Sequence, residues 1–428
     1  MKSITSYTSE TFVIQGGKPL KGRVKVSGSK NASLPIIMAS LLPREVSMIE
    51  NVPDLLDTLT AFELIKSLGA SVDFQNGVAT IDASSLRDYK APDEMVRRMR
   101  ASVLVMGPLL AKFGKAVVSM PGGCSIGVRS IDQHLKVFEK GGANIEVKHG
   151  YIHLQVDKIK PVEHTFEVIT VTGTENALMF LSGCERRSLL RNIALEPEVM
   201  DLVDVLKKMG VEIEIEDRTA VIRGSSELKS FKHTVIPDRI EAGTLMVAGF
   251  LTGGEVVLEN TRVEHLGSVI EKLREAGAQV ELLSLNSLRV KRDGDIKPLV
   301  ISTAEYPGFP TDMQAQFMVL CCLAKGVSEI RENIFENRFQ HVAELQRMGA
   351  NIHVRDRTAI VKGVEKLSGA EVYSTDLRAS ASLVLAGLVA EGTTTVRDIH
   401  HLDRGYEKLE EKLRSLGATI ERLPRREG

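Results

Sequence analysis

Cys124 lies in the run Pro121-Gly122-Gly123-Cys124-Ser125-Ile126-Gly127 and is one of four cysteines in a chain of 428 residues. Three glycines in seven residues disfavour a helix or strand interior, because glycine loses the most backbone freedom on folding. The run therefore reads as a surface loop, and loops carry chemistry more often than cores do. Arg129, five residues on, is a cation that favours the thiolate. The same composition suits an inert cysteine in a glycine turn, so the loop alone leaves both readings open. A second set of residues sits where apolar helices start. These are Lys30 in Ser27-Gly28-Ser29-Lys30-Asn31, Arg100 in Met99-Arg100-Ala101-Ser102, and Arg378 in Asp376-Leu377-Arg378. A cation there opposes the helix dipole at a cost of about 0.3–1 kcal/mol unless an anion joins it. Free backbone amides and side-chain cations together bind phosphate or carboxylate. Arg404 and Arg338 add further cations. Each one alone is also explained as solvated or locally paired, Asp376 with Arg378 for example. Their recurrence at one position of a repeat points to an anion site. Asp312, in Pro310-Thr311-Asp312, reads as a helix N-cap; facing these cations, it would orient or deprotonate a hydroxyl. His134 and His401 have no partners at metal-ligand spacing and read as ordinary polar residues, so no metal is expected.

The elements that position these groups repeat six times. The segments KSLGASV, EKGGANI, KKMGVEI, REAGAQV, QRMGANI and RSLGATI place glycines at 69, 142, 210, 277, 349 and 417, at spacings of 73, 68, 67, 72 and 68. Before each glycine, apolar residues recur at helical spacing, as in Leu59, Phe62, Ile65 and Leu68. The glycine predicts a left-handed helix stop, and two short alternating strands follow. Upstream lies a helix apolar nearly all round, such as 101–111 or 379–390, which belongs inside a domain. The unit is strand, buried helix, strand, amphipathic helix, two strands. Six units predict two three-unit domains: 30–236, carrying the cysteine loop at about 120–130, and 1–29 plus 237–428. The strand from Thr11 to Val26 would complete the second set, so two segments would cross and leave a ligand cleft between the lobes.

Composition narrows the partners. Lys plus Arg number 55 and Asp plus Glu 56, with aromatics at 4% and no tryptophan. That balance argues against a nucleic-acid surface and for a local anion site. The N-terminal ten residues lack a signal-peptide core, and no apolar run reaches membrane length. Cys321 and Cys322 read as core thiols, Cys184 precedes a charged turn, and a reducing cytoplasm is the expected home. The first ten residues and the last four are expected to be disordered.

Nine motifs together carry a resemblance: SGSKNAS (27–33), MRAS (99–102), PGGCSIGVRSID (121–132), LEPEVMD (195–201), IPDRIEAGT (236–244), FPTDMQAQF (309–317), FENRF (335–339), DLRASASLVLAG (376–387) and LDRGYE (402–407). From about Phe12 to Leu423 the chain resembles the UDP-N-acetylglucosamine 1-carboxyvinyltransferases, enolpyruvyl transferases of early peptidoglycan synthesis. The resemblance implies an α/β fold of two pseudo-symmetric inside-out α/β barrel domains, each of three βαβαββ units, with the active site in the interdomain cleft. It implies transfer of the enolpyruvyl group of phosphoenolpyruvate to the 3-hydroxyl of UDP-N-acetylglucosamine, with phosphate released and no cofactor. Lys30, Arg100, Arg129 and Arg404 would hold phosphoenolpyruvate. Cys124 would act as the acid and form an adduct with it, and an epoxide of the fosfomycin type would alkylate the same thiol. Asp312 would contact the reacting hydroxyl. Asn31, Arg100, Arg129, Ser130, Ile131, Asp132, Thr172, Thr174 and Ile334 would line the nucleotide-sugar site, with Arg338 and Arg378 in support. Ser29, Ser130 and Thr172-Gly173-Thr174 depart from the commonest family pattern. The rival readings are a 5-enolpyruvylshikimate-3-phosphate synthase, which Cys124 and SGSKNAS argue against, and a non-catalytic UDP-N-acetylglucosamine sensor, which the intact Lys30, Cys124, Asp312 and Arg404 argue against.

Overall fold

Gly69, Gly142, Gly210, Gly277, Gly349 and Gly417 all take φ between 93° and 110°. A Cβ is disfavoured in that left-handed region, so glycine stops each helix where the repeat predicts. After each stop comes a two-stranded hairpin, for example Ser71–Gln75 with Val78–Asp82 or Asn351–Arg355 with Thr358–Lys362. Asp217 and Asp356 turn two of these hairpins at φ of 51° and 53°, which matches the shared sequence Asp-Arg-Thr-Ala of the third and fifth repeats.

The computed structural model describes residues 10–121, 126 and 130–424. The cysteine loop's Cys124 and Arg129, and both stretches expected to be disordered apart from Glu10, lie outside the described residues. Among the described residues the strands form six four-stranded sheets. Each combines one parallel pairing with two antiparallel ones, as in Lys90–Ala91, Lys115–Ser119, Tyr151–Gln155 and Asn144–Lys148. The chain divides into two compact units, one of residues 28–123 and 129–236, the other of residues 1–27, 124–128 and 237–428. Each has its own apolar core.

The N-terminal stretch is two strands, not the single one expected from Thr11 to Val26. Gly16, Gly17 at φ 98° and Pro19 interrupt it. Gly16 lies so close to the carbonyl of Ala390 that no side chain fits. Glu10–Gln15 inserts between Thr393–Arg397 and Thr419–Pro424 in the sixth sheet. Lys21–Lys25 pairs in parallel with Glu255–Glu259 in the fourth. The strand that completes the first sheet is Lys232–Thr234, parallel to Val46–Glu50.

Each repeat buries an apolar helix. Lys30–Ala39, Arg239–Leu251 and Leu377–Val389 are buried along nearly their whole length, as their lack of a polar stripe requires. Two of the six start differently from expectation. Residues 100–105 form a 3-10 turn before the helix Met106–Phe113, and Thr311–Met313 form another before Gln314–Cys322. Cys184, Cys321 and Cys322 are buried free thiols. Burial pushes the Cys321 thiol up to about 12, so it stays protonated. No helix among the described residues is long and apolar enough to cross a membrane.

Candidate active site

In the unit of residues 28–123 and 129–236, three helix starts carry the predicted residues. Ser29 caps the first, its Oγ accepting the Ala32 N–H, and sets Lys30 at the first helical position. Lys30 is 8% exposed, and its ammonium lies 2.9 Å from Asp57, itself buried in the first turn of Leu56–Ser67. The charge opposing the helix dipole is thus balanced by a carboxylate from the next helix. Asn31 is the second residue of the same helix. That helix packs against the turn that begins at Arg100, and the turn packs against Val171–Leu181, whose second residue is Thr172. Arg97 and Arg98 do not join the set; they pair with Asp93 and Glu94 on a separate short helix. Ser130 is exposed and its Oγ accepts the Asp132 N–H, opening the helix Asp132–Lys140 behind the half-turn at Ile131.

Thr172 shares its hydroxyl with His134 at 3.2 Å, and the other His134 nitrogen meets the Asn176 amide at 2.9 Å. Asn176 also donates to the Val103 carbonyl and accepts the Gly107 N–H. His134 is therefore a satisfied core residue that ties Thr172 and Asn176, both on Val171–Leu181, to its own helix Asp132–Lys140. Thr174 does not line an open surface as expected. It is wholly buried; its hydroxyl donates to the Thr170 carbonyl and accepts the Ala194 N–H, so it fixes the helix from within. Glu175 beside it is wholly buried, and burial, with Glu198 and Glu196 nearby, holds its carboxyl well above the ordinary range.

The other unit gathers Asp312, Arg338 and Arg378. Asp312 is not an N-cap, because Pro310 caps the 3-10 turn and Asp312 is its second residue. Its Oδ1 lies 2.9 Å from Arg338 Nη1, and its Oδ2 lies 3.2 Å from Arg378 Nη2. The local Asp376–Arg378 pairing is replaced by division of labour. Asp376 caps its helix through the Arg378 and Ala379 N–H groups, while the Arg378 guanidinium crosses to Asp312. Arg338 also donates to Thr311 Oγ1, which donates to Glu332. Buried Glu332 accepts the Ile334 and Phe335 N–H groups as well, and so fixes the loop that bears Ile334 and Arg338. Arg404 ends the 3-10 turn Ile399–Arg404, which packs on the helix Leu377–Val389. Burial, with His400 and Arg404 beside it, pushes His401 down to about 4, so it is neutral at pH 7. Ile126, in the glycine-rich run, accepts the Asn337 N–H at 3.1 Å. Among the described residues no group of three or more His, Cys, Asp or Glu could hold a metal ion.

One unit supplies buried and half-buried cations at its helix starts; the other, described by itself, supplies one carboxylate fixed by two guanidiniums. Cations of the first kind suit an anionic substrate, and a carboxylate held as in the second suits a hydroxyl to be oriented. The family model described as EPSP synthase (3-phosphoshikimate 1-carboxyvinyltransferase) matches residues 14–413. The chain belongs to this family. It is a transferase with the family's two-domain α/β fold. Two relatives named UDP-N-acetylglucosamine 1-carboxyvinyltransferase illustrate the likeness. That of Caldanaerobacter subterraneus subsp. tengcongensis, numbered 1 in its name, is 51% identical over 96% of this chain and 99% of the relative. That of Geotalea uraniireducens is 50% identical over 97% and 99%. Among solved structures, the enolpyruvyl transferase NikO from Streptomyces tendae superposes with TM-score 0.88 at 28% identity, over 97% of this chain and 99% of that one. An EPSP synthase from Acinetobacter baumannii, at 20% identity and TM-score 0.76 over 97% and 100%, shares the fold.

Sequence reasoning missed Asp57, Glu332, Gln316 and Tyr406. A usable signal was present for one pair. Gln314 and Gln316 interrupt an otherwise apolar helix, and buried amides need partners.

Proposed function

We propose that the chain transfers the enolpyruvyl group of phosphoenolpyruvate to the 3-hydroxyl of the sugar of UDP-N-acetylglucosamine and releases phosphate, the first committed step of peptidoglycan synthesis. The observation that carries this reading is identity of about half the residues, across nearly the whole chain, to relatives named for that acceptor. The roles follow from charge and chemistry. Lys30, Arg100, Arg129 and Arg404 hold the carboxylate and phosphate of phosphoenolpyruvate, bidentate guanidinium and point-charge ammonium being suited to each. Asn31, Arg100, Arg129, Ser130, Ile131, Asp132, Thr172 and Ile334 contact the nucleotide sugar, and Thr174 supports them through its helix.

Cys124 gives its thiol proton to the methylene carbon of phosphoenolpyruvate as the sugar oxygen bonds to the adjacent carbon and loses its own proton. The Cys124 thiolate then takes back a proton from the new methyl group, the C–O bond to phosphate breaks, the phosphate carries away the hydroxyl's proton, and the vinyl ether forms. A thiol with reference pKa near ~8.5 is protonated at neutral pH and fits the donor role. A carboxylate with reference pKa near ~3.9 is a weak base, so Asp312, gripped by two arginines, serves by orienting the hydroxyl. The cations stabilise the departing phosphate. Binding is ordered, nucleotide sugar first, and the glycine loop closes over it. The enzyme works in the cytoplasm without nucleic acid or membrane, and a fosfomycin-type epoxide alkylates Cys124.

Phosphate release from phosphoenolpyruvate tests the proposal. Release should require UDP-N-acetylglucosamine, should not occur with 3-phosphoshikimate, and should fall to background in Cys124→Ala. Release with 3-phosphoshikimate instead would overturn the acceptor, and full activity in Cys124→Ala or Cys124→Ser would overturn the proton donor. Binding of UDP-N-acetylglucosamine without any release would favour a sensor.

A further inference from the structure

Three buried polar residues behind Asp312 form a single hydrogen-bonded knot. Tyr406 is 1% exposed, and Thr244 and Gln316 are as buried. The Thr244 hydroxyl donates to the Ile240 carbonyl at 2.8 Å. Its only proton being spent there, the 2.9 Å contact between Thr244 Oγ1 and Tyr406 Oη is donated by the phenol. Gln316 Nε2 donates one hydrogen to the Asp312 carbonyl at 2.9 Å. Its other faces Tyr406 Oη at 3.2 Å and Thr244 Oγ1 at 3.1 Å. The tyrosine ring in turn lies against the Arg378 guanidinium, 5.2 Å from ring centre to the guanidinium carbon, and Arg378 holds Asp312 Oδ2. The knot therefore grips Asp312 twice, at its backbone carbonyl through Gln316 and at its carboxylate through Arg378. Burial pushes the Tyr406 phenol up, so it remains a donor at neutral pH.

A core that needed only stability would fill this place with apolar side chains, because burying an amide and a phenol gains little over well-packed hydrocarbon. We infer that Tyr406 and Gln316 are positioning residues for the transfer reaction: they fix the turn at Asp312 and the Arg378 guanidinium so that the Asp312 carboxylate meets the attacking hydroxyl in one orientation. The inference rests on the role proposed for Asp312. It assigns to Tyr406 a contribution to turnover that Tyr406 makes only through Asp312.

A double-mutant cycle separates this from a merely structural role. Tyr406→Phe keeps the ring and removes the hydroxyl. Its kcat should fall about tenfold, with the KM for phosphoenolpyruvate changed less than about twofold, since an orientation lost in the transition state lowers kcat without weakening ground-state binding. Placed in Asp312→Ala, the same substitution should cause no further loss of the residual single-turnover rate. A loss that adds in full to that of Asp312→Ala overturns the inference and leaves the role of Asp312 standing. Wild-type kcat in Tyr406→Phe also overturns it. Full activity in Asp312→Ala alone overturns both the inference and the role on which it rests. Gln316→Met, which keeps the shape and removes the amide, carries the same cycle should Tyr406→Phe fail to fold, with the same expected and overturning results.

Discussion

Replacing Glu241 with Gln should flatten the pH dependence of stability in the weakly acidic range. Glu241 lies in the first turn of Arg239–Leu251 and is 2% exposed. One oxygen accepts the Ser27 N–H at 2.7 Å and the other accepts from the Lys412 ammonium. Lys412 also donates to Ser27 Oγ at 2.6 Å, and that hydroxyl donates to Glu407 at 2.5 Å. Burial outweighs the pull of Lys412 and raises the Glu241 carboxyl from its ordinary 4.5 to about 7. The folded chain therefore keeps a proton between those two values that the unfolded chain has lost. Folding stability from this group is fully present below pH 4.5, falls as pH rises, and levels off above pH 7. The window spans about 2.5 pH units, which at ~1.36 kcal/mol each is a fall of about 3 kcal/mol. Glutamine has the same shape, can accept from Ser27, and does not titrate. Urea unfolding of wild type and Glu241→Gln at half-unit pH steps reads the difference directly. The variant should gain about 3 kcal/mol on wild type across the window, whatever its offset at acid pH. Parallel curves would refute the reasoning.

Three further outcomes are expected. Asp57→Asn should raise the KM for phosphoenolpyruvate and cost about 2 kcal/mol of stability, because it removes the carboxylate that balances buried Lys30; substrate titration and thermal unfolding measure the two effects. Arg422→Ala should cost about 3 kcal/mol, since Arg422 bridges Glu10, Asp403 and Glu410 across the first strand and the last helix; denaturant titration checks it, and a loss below about 1 kcal/mol would show the bridges to be independent of the fold's stability. A thiol-alkylating epoxide applied to the folded protein at pH 8 should label Cys124 alone, because Cys184, Cys321 and Cys322 are buried; peptide mass mapping that finds label on Cys321 or Cys322 would contradict their burial.

The repeat was legible because its signals are local. A helix stop, an apolar helix and a hairpin turn each need only a few consecutive residues, and the six glycines took the left-handed angles their positions predict. The core cysteines were legible for the same reason, whereas His134, read as an ordinary polar residue, is buried with partners 38 and 42 residues away. The strand exchange at the N-terminus was only half legible. The residue pattern showed a strand leaving for a distant sheet, but Gly16 and Gly17 split it in two and sent the halves to different sheets. The partners of the charged residues were not legible. Arg378 could be matched to nearby Asp376 from sequence, yet it meets Asp312, 66 residues away. Lys30 likewise meets Asp57, 27 residues on, and Arg338, in a loop, meets Asp312, 26 residues back. Motif resemblance named Lys30 and Asp312 without naming what holds them.

The two units share a scaffold but use one helical position differently. Count six residues beyond the cap of each buried helix. In the unit of Asp312 that place holds Thr244, Gln316 and Ser382, after Asp238, Pro310 and Asp376. In the other it holds Pro35, Val105 and Asn176, after Ser29, Met99 and Thr170. Ser382 spends its hydroxyl on its own helix at Ala379, whereas Thr244 and Gln316 reach across to Tyr406 and the Asp312 turn. Asn176 reaches across to His134 and so to Thr172. Apart from Ser382, then, the polar side chains at this interior place connect to a helix start that carries a candidate substrate contact. A desolvated amide or hydroxyl is costly when its bonds are lost, so Thr244, Gln316 and Asn176 each favour the helix-start geometry that keeps the bonds they make. The repeat supplies interchangeable apolar helices; departures from apolar character at a single interior position are what make two copies of it hold different groups.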